Sequence, residues 1–156
     1  MSTRLTQKNI PMVESQALQL VLETGQVNDS IAHYLSNGLK NKGYKFASSS
    51  ALSFLSALEC GENYASEISR KLGVSRQMVA KTVKDLCIAN YLEQVDGVGK
   101  QKKILFTETG ELLMSDARKL LADVDNILAN ELGQDTIATT VKNLKAIQNV
   151  IDQLDN

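Results

Sequence analysis

The sequence predicts a mainly α-helical fold with one small β-hairpin, and three observations predict it. The 156 residues include one Pro, no Trp, three Phe and four Tyr, a composition that favours helices over a sandwich or barrel. Apolar residues recur at three- and four-residue spacing along most of the chain. That period lapses between Tyr91 and Thr107, where two short β-compatible runs flank a glycine-containing loop. The length suits one domain, or a small domain with helical extensions, and is enough to bury a core.

Taken in order, Pro11 suits the first turn of a helix whose apolar face is Val13, Leu18, Val21 and Leu22. Gly25 is expected to break or end it, with Asn28 or Asp29 capping a second helix that carries Val27, Ile31, Leu35 and Leu39. One long helix through Gly25 is the alternative. Asn41-Lys-Gly43 supplies a stop. Ser48-Ser-Ser50 caps the next helix, whose core stripe is Leu52, Leu55 and Leu58 and whose end is Gly61. Tyr64 to Leu72 forms a short helix stopped by Gly73. Ser75 caps a helix running to about Ala89, and Asn90 then takes the left-handed position. Tyr91 to Val95 and Lys103 to Thr107 read as strands joined by the lysine-bearing loop Asp96-Gly-Val-Gly-Lys-Gln-Lys102. Gly110 is expected to open a long helix through about Glu131, with Leu112, Leu113, Leu120, Leu121, Val124, Ile127 and Leu128 on it. A last helix from near Gln134 carries Ile137, Val141, Leu144, Ile147, Ile151 and Leu154, a narrow seam suited to pairing with another helix.

The net charge of −1 conceals an asymmetry. From Tyr64 to Thr107 eight basic residues stand against four acidic ones, a net of +4; the remainder has nine against fourteen, a net of −5. A basic module in an acidic frame is the layout of a nucleic-acid binder whose other faces repel the polyanion. No apolar run has the length of a signal peptide or a membrane span. Cys60 and Cys87 form no CxxC pair, which implies a cytoplasmic protein with reduced thiols. One His and two isolated Cys cannot furnish a four-ligand metal site, and no cofactor motif is present. Nor is there a Ser/His/Asp set or a phosphate-binding glycine loop, so the chain is not expected to be an enzyme.

The chemistry concentrates on the Ser75–Ala89 helix. At about 100° per residue, Val79, Val83 and Leu86 gather on one side. Gln77, Lys81 and Lys84 gather opposite, with Arg76 and Ala80 at the border. Such a helix can pack by one face and read a major groove with the other. Arg forks onto guanine, Gln onto adenine, and Lys meets phosphate. The N-terminus at Ser75 adds backbone N–H groups aimed at phosphate. A basic amphipathic helix alone is more often an ordinary surface helix. The preceding helix supplies Ile68, Leu72 and a small Ser69 at the crossing. The following hairpin puts Lys100, Lys102 and Lys103 at its tip, where they could straddle the backbone or enter the minor groove. Helix-turn-helix plus basic hairpin is the winged form.

These elements, with Ala57-Leu58, Ser66-Glu-Ile68, Leu72-Gly-Val-Ser75, Val79, Val83, Leu86, Asn90-Tyr-Leu92 and Phe106-Thr-Glu-Thr-Gly110, resemble the MarR family of bacterial transcription regulators over roughly Val27 to Leu154. The resemblance implies a winged helix-turn-helix domain flanked by N- and C-terminal dimerisation helices. Its parts are residues 1–45 for dimerisation, 46–108 for DNA binding and 109–156 for dimerisation, in one intertwined whole. It implies a homodimer on a palindromic operator in double-stranded DNA, acting as a repressor released by a small aromatic or phenolic effector. On that pattern Ser75, Arg76, Gln77 and Lys81 read or position the major groove, and Lys100 falls where the family usually has a wing Arg. The Asp usual two residues earlier is replaced by Val98, which implies a less rigid wing. Asn90 replaces the usual Gly.

For an effector cavity the sequence offers His33, Tyr34 and Phe54, although core packing for Tyr34 and Phe54 and partial exposure for His33 explain the same residues. Redox-sensing members place a reactive Cys in the N-terminal helix, where this chain has none. Cys60 sits beside Glu59 and Glu62, which disfavours a thiolate, and Cys87, near the packed side of its helix, reads as a small buried hydrophobe. The competing function is a winged-helix protein-interaction module without DNA binding.

Overall fold

The computed structural model describes residues 14–45 and 48–155. Its elements are α1 (Gln16–Asn41), α2 (Ser49–Glu59), α3 (Ala65–Leu72), α4 (Arg76–Ile88), β1 (Leu92–Asp96), β2 (Lys102–Phe106), α5 (Glu108–Leu132) and α6 (Gln134–Asp152), then a 3₁₀ turn at Gln153–Asp155. The fold is thus mainly helical with one two-stranded antiparallel hairpin, as the sequence predicts. Two units can be distinguished, Met1–Leu113 and Met114–Asn156.

The N-terminal helix is the first correction. α1 starts at an N-cap Ser15, whose hydroxyl accepts from Leu18 N–H at 3.3 Å, and runs unbroken through Gly25. An interior Gly costs about 1 kcal/mol relative to Ala but removes no backbone hydrogen bond, so the turns on either side carry it. Asn28 and Asp29 are mid-helix residues, not caps. The expectations at Pro11 and Val13 lie outside the described residues. α1 ends at Asn41, and the stop at Gly43 follows as expected: Gly43 N–H donates to Lys40 O and Tyr44 N–H to Leu39 O, the paired bonds of a Schellman stop.

Ser48 caps α2 by accepting from Ala51 N–H at 3.2 Å. α4 is closed by Asn90, the one described non-glycine residue at positive φ (65°), with Asn90 N–H on Cys87 O and Tyr91 N–H on Leu86 O. The hairpin pairs Leu92 with Phe106 through Asp96 with Lys102, one residue later in β1 and one earlier in β2 than the sequence suggests. Gly110 does not open α5, which begins at Glu108. Thr107 precedes it, its hydroxyl accepting from Gly110 N–H at 3.0 Å, so the capping residue is Thr107.

The core of the first unit joins Leu35 and Leu39 of α1, Phe54, Leu55 and Leu58 of α2, Ile68 of α3, Val79, Val83 and Leu86 of α4, and Leu92 and Ile104 of the hairpin, all buried. Of the stripe expected on α2, Leu52 is only half-buried, and Phe54 takes the interior place. In the second unit α6 contains no buried residue: Val141, Leu144, Ile147, Val150 and Ile151 are all exposed.

Asn90 and Tyr91 form a junction. The Tyr91 hydroxyl accepts from Lys45 N–H at 2.8 Å and donates to Lys45 O at 2.7 Å, while its ring lies 6.2 Å from that of Tyr44. Tyr91 O accepts from Thr107 N–H at 3.0 Å, and Asn90 O accepts from the Thr107 hydroxyl at 2.5 Å. Burial pushes the Tyr91 phenol above its ordinary value, opposed by the hydrogen bond to the Lys45 backbone. A phenol held protonated by folding stabilises the fold fully below its unfolded value of about 10 and loses that contribution as pH rises through the folded value. Tyr91→Phe is expected to cost about 1–2 kcal/mol at neutral pH, the worth of one or two such bonds. It should also flatten the decline in stability above about pH 10. Urea unfolding at pH 7 and in the alkaline range checks both; an unchanged midpoint at pH 7 would mean that the bonds to Lys45 contribute nothing.

Candidate nucleic-acid interface

The turn between α3 and α4 is fixed by three bonds. Gly73, at φ 64°, donates to Ser69 O; Val74 N–H donates to the same carbonyl at 3.2 Å; and the Ser69 hydroxyl donates to Val74 O at 2.6 Å. Ser69 is therefore more than the small residue at a crossing, because its hydroxyl closes the turn. Ser75 follows as N-cap of α4, accepting from Met78 N–H at 3.1 Å. Ser75, Arg76 and Gln77 at this N-terminus are exposed, a setting that suits a phosphate.

α4 divides as its sequence predicts. Val79, Val83 and Leu86 are buried at 1%, 3% and 1% exposure, while Arg76, Gln77, Ala80, Lys81 and Lys84 are exposed. Among the described residues no acidic side chain pairs with Arg76, Lys81 or Lys84, so these cations face outward uncompensated. Two exposed apolar side chains on the same helix, Met78 and Ile88, escaped the sequence reading. Their signal was available as apolar residues off the packed stripe.

The wing departs from expectation. The three lysines do not share its tip: Lys100 lies in the loop, whereas Lys102 and Lys103 belong to β2. As neighbours in a strand they point to opposite faces. Lys102 is held by Asp96, its directly paired residue, at 2.6 Å; both side chains are largely exposed, so the pair contributes under about 1 kcal/mol. Lys103, opposite Val95, is half-buried. The tip closes with Gly97 N–H on Gln101 O at 3.0 Å and Gln101 N–H on Val98 O at 3.3 Å. Val98 N–H donates to the Tyr64 hydroxyl at 3.2 Å, and Val98 leaves its side chain exposed. The wing thus lacks an Asp at position 98 but carries other braces, which sequence spacing alone did not reveal.

None of the residues offered for an effector cavity lines the apolar groove found among the described residues. Phe54 is core at 2% exposure, Tyr34 is 41% exposed, and the exposed His33 contacts Asn37 Nδ2 through Nε2 at 2.9 Å. An apolar groove of about 460 Å³ does lie between α1, α2 and α3, lined by Ile31, Leu35, Leu52, Ala57, Cys60 and Leu72. The groove's lining on α1, Asn28, Ile31, Ala32 and Leu35, spans roughly 100° of the helix; His33 falls on the far side of it and Tyr34 about 60° beyond its edge. Cys60 is exposed; Cys87 is half-buried, and burial pushes its thiol up, away from thiolate chemistry. Among the described residues no group of three His, Cys, Asp or Glu could hold a metal, and no helix is long and apolar enough to cross a membrane.

A buried-faced second helix, a fixed turn before it and a braced hairpin after it define a winged helix-turn-helix protein. No family model matches the chain, and no curated protein does. Solved structures do match. A crystal structure of a MarR family transcription regulator is similar at a TM-score of 0.76 and 15% identity, over 89% of this chain and 92% of that one. A mutant MarR from E. coli complexed with operator DNA gives 0.70 at 18% identity, over 85% and 95%. The PcaV transcriptional regulator from Streptomyces coelicolor, in complex with its natural ligand, gives 0.63 at 18% identity, over 91% and 97%. The chain has the winged-helix fold of the MarR family transcription regulators.

Proposed function

We propose that this chain is a sequence-specific DNA-binding transcriptional regulator. It works as a homodimer on a palindromic operator, as a repressor released by a small aromatic or phenolic effector in the bacterial cytoplasm. The observation that carries the proposal is α4, with Val79, Val83 and Leu86 buried and Arg76, Gln77, Lys81 and Lys84 outward without ionic partners. Arg76 and Gln77 have the donor and acceptor sets that read guanine and adenine edges. Ser75, Lys81 and Lys84 meet phosphates near the groove, and Lys100 meets backbone beside the minor groove. Lys102 and Lys103 assist from β2, Lys102 only by releasing Asp96. Residues 46–108 form the reading head, and residues 1–45 and 109–156 supply the dimer.

The uncovered apolar seam of α6 supports the dimer, since a helix with no buried residue gains little from its own chain. A dimer sets two α4 helices about 34 Å apart, one turn of DNA. The E. coli protein complexed with operator DNA and the PcaV complex with its ligand lend support by fold. The groove between α1, α2 and α3 is the place for an effector, in preference to His33, Tyr34 and Phe54.

Selection of duplexes from a random pool is expected to yield a two-half-site sequence that holds two chains. Log affinity should fall linearly against log salt with a slope of about −6 or steeper, the mark of several phosphate contacts per dimer. Retention of no duplex at low salt would refute the proposal.

A further inference from the structure

The wing is steered from a residue that lies outside both the wing and α4. Asn63 and Tyr64 precede α3, and their side chains grip the hairpin at two levels. Asn63 O accepts from Ile104 N–H at 2.8 Å and Asn63 Nδ2 donates to Ile104 O at 3.1 Å, which fixes the middle of β2. Tyr64 reaches the tip, where its hydroxyl accepts from Val98 N–H at 3.2 Å. The contact is close: a Cβ on Gly97 would stand 2.6 Å from Tyr64 Cε1, 2.8 Å from its hydroxyl and 2.9 Å from Gln101 O. Only hydrogen fits there, so the Gly97–Val98 backbone rests directly on the tyrosine. The backbone of Tyr64, meanwhile, begins α3, its carbonyl accepting from Glu67 and Ile68 N–H at 3.1 Å. One residue therefore joins the first helix of the helix-turn-helix to the loop that carries Val98, Gly99 and Lys100. Among the described residues no hydrogen bond ties the tip to α4 itself.

We propose that Tyr64 is a positioning residue for DNA binding: through its hydroxyl and ring it sets the angle at which the wing tip presents Lys100 to the duplex. This rests on the DNA-binding function proposed above. Tyr64 touches no nucleic acid in this role; it acts through the Gly97–Lys100 backbone.

The experiment uses the full chain and a duplex chosen by selection on the wild type. Tyr64→Phe keeps the ring and removes the acceptor. It is expected to speed amide exchange at Val98 about tenfold while leaving Ile104, held by Asn63, unchanged. It is also expected to weaken duplex binding about three- to tenfold, the effect of one hydrogen bond. In a Lys100→Ala background the same change should weaken binding no further, because the tip then has no charge to present; a general loss of structure would weaken both backgrounds alike. Gly97→Ala, which pushes the tip off the ring and leaves the hydroxyl in place, should show the same dependence on Lys100. A wild-type chain that holds no duplex overturns the DNA-binding function and this role with it. A wild type that binds, with Tyr64→Phe binding equally well or losing the same factor in both backgrounds, overturns the role of Tyr64 alone.

Discussion

A chain carrying Lys81→Glu and Lys84→Glu is expected to lose about a thousandfold in operator affinity at physiological salt. Each phosphate contact contributes about 0.9 to the salt slope, so at roughly 0.15 M salt its loss costs about fivefold. Two lysines in each chain of a dimer make four contacts, and the product is near a thousand before the introduced carboxylates repel the DNA. The fold should not suffer. Both lysines are exposed and pair with no acidic group among the described residues, and surface changes of this kind stay within about 0.5 kcal/mol. The double change also separates the two functions that the sequence leaves in competition. A protein-interaction module would keep its partner and a flat salt profile, whereas a regulator loses its duplex and about 3–4 units of slope. Undiminished binding with the original slope would remove α4 from the interface.

The second large effect belongs to Gly110. In the first turn of α5 its backbone lies against the Tyr91 carbonyl, so an added Cβ would fall inside van der Waals contact with that oxygen and 3.2 Å from Phe106 Cδ1. Neither neighbour can yield cheaply. The Tyr91 carbonyl is already bonded to Thr107 N–H, and Tyr91 is 3% exposed. Alanine would gain up to about 1 kcal/mol in helix propensity, but forcing atoms into a packed site costs about 1–3 kcal/mol or more. Gly110→Ala is expected to lower stability by about 2 kcal/mol net, read as a reduced urea midpoint at constant slope. A midpoint equal to or above wild type would mean that the close approach does not exist in solution.

Local chemistry made much of the fold legible. Ser48 and Ser75 cap helices because a short side-chain oxygen reaches the third N–H along, an interaction contained within four residues. Gly73 and Asn90 end helices for equally local reasons. The division of α4 followed from helical period alone. What escaped depends on residues far apart in sequence. Gly25 carries the marks of a helix end, yet no local bond is broken there, and the helix runs on. Gly110 reads as a helix start, but the helix contains it, and the glycine answers to the distant Tyr91 carbonyl. Lys102 counts as a free cation in any tally of charge, whereas strand register sets it against Asp96. Tyr64 gave no sign of reaching Val98, since the contact exists only once the hairpin folds back. Phe54 is similar: it is an aromatic in a plausible segment, but it packs in the core, and the apolar groove lies along Ile31, Leu35 and Leu72.

The junction at Asn90 and Tyr91 has a mechanical consequence. The end of α1 is tied there through Lys45, the end of β2 and the start of α5 through Thr107, and α4 runs directly into it. Asn90 Nδ2 also reaches the Thr109 hydroxyl at 3.5 Å. Four segments thus meet at two consecutive residues, like struts at a single bolt. The C-terminal ends of α1 and α4 and the N-terminal end of α5 are therefore held to one another by hydrogen bonds at a single joint, whose hub, Tyr91, is itself buried.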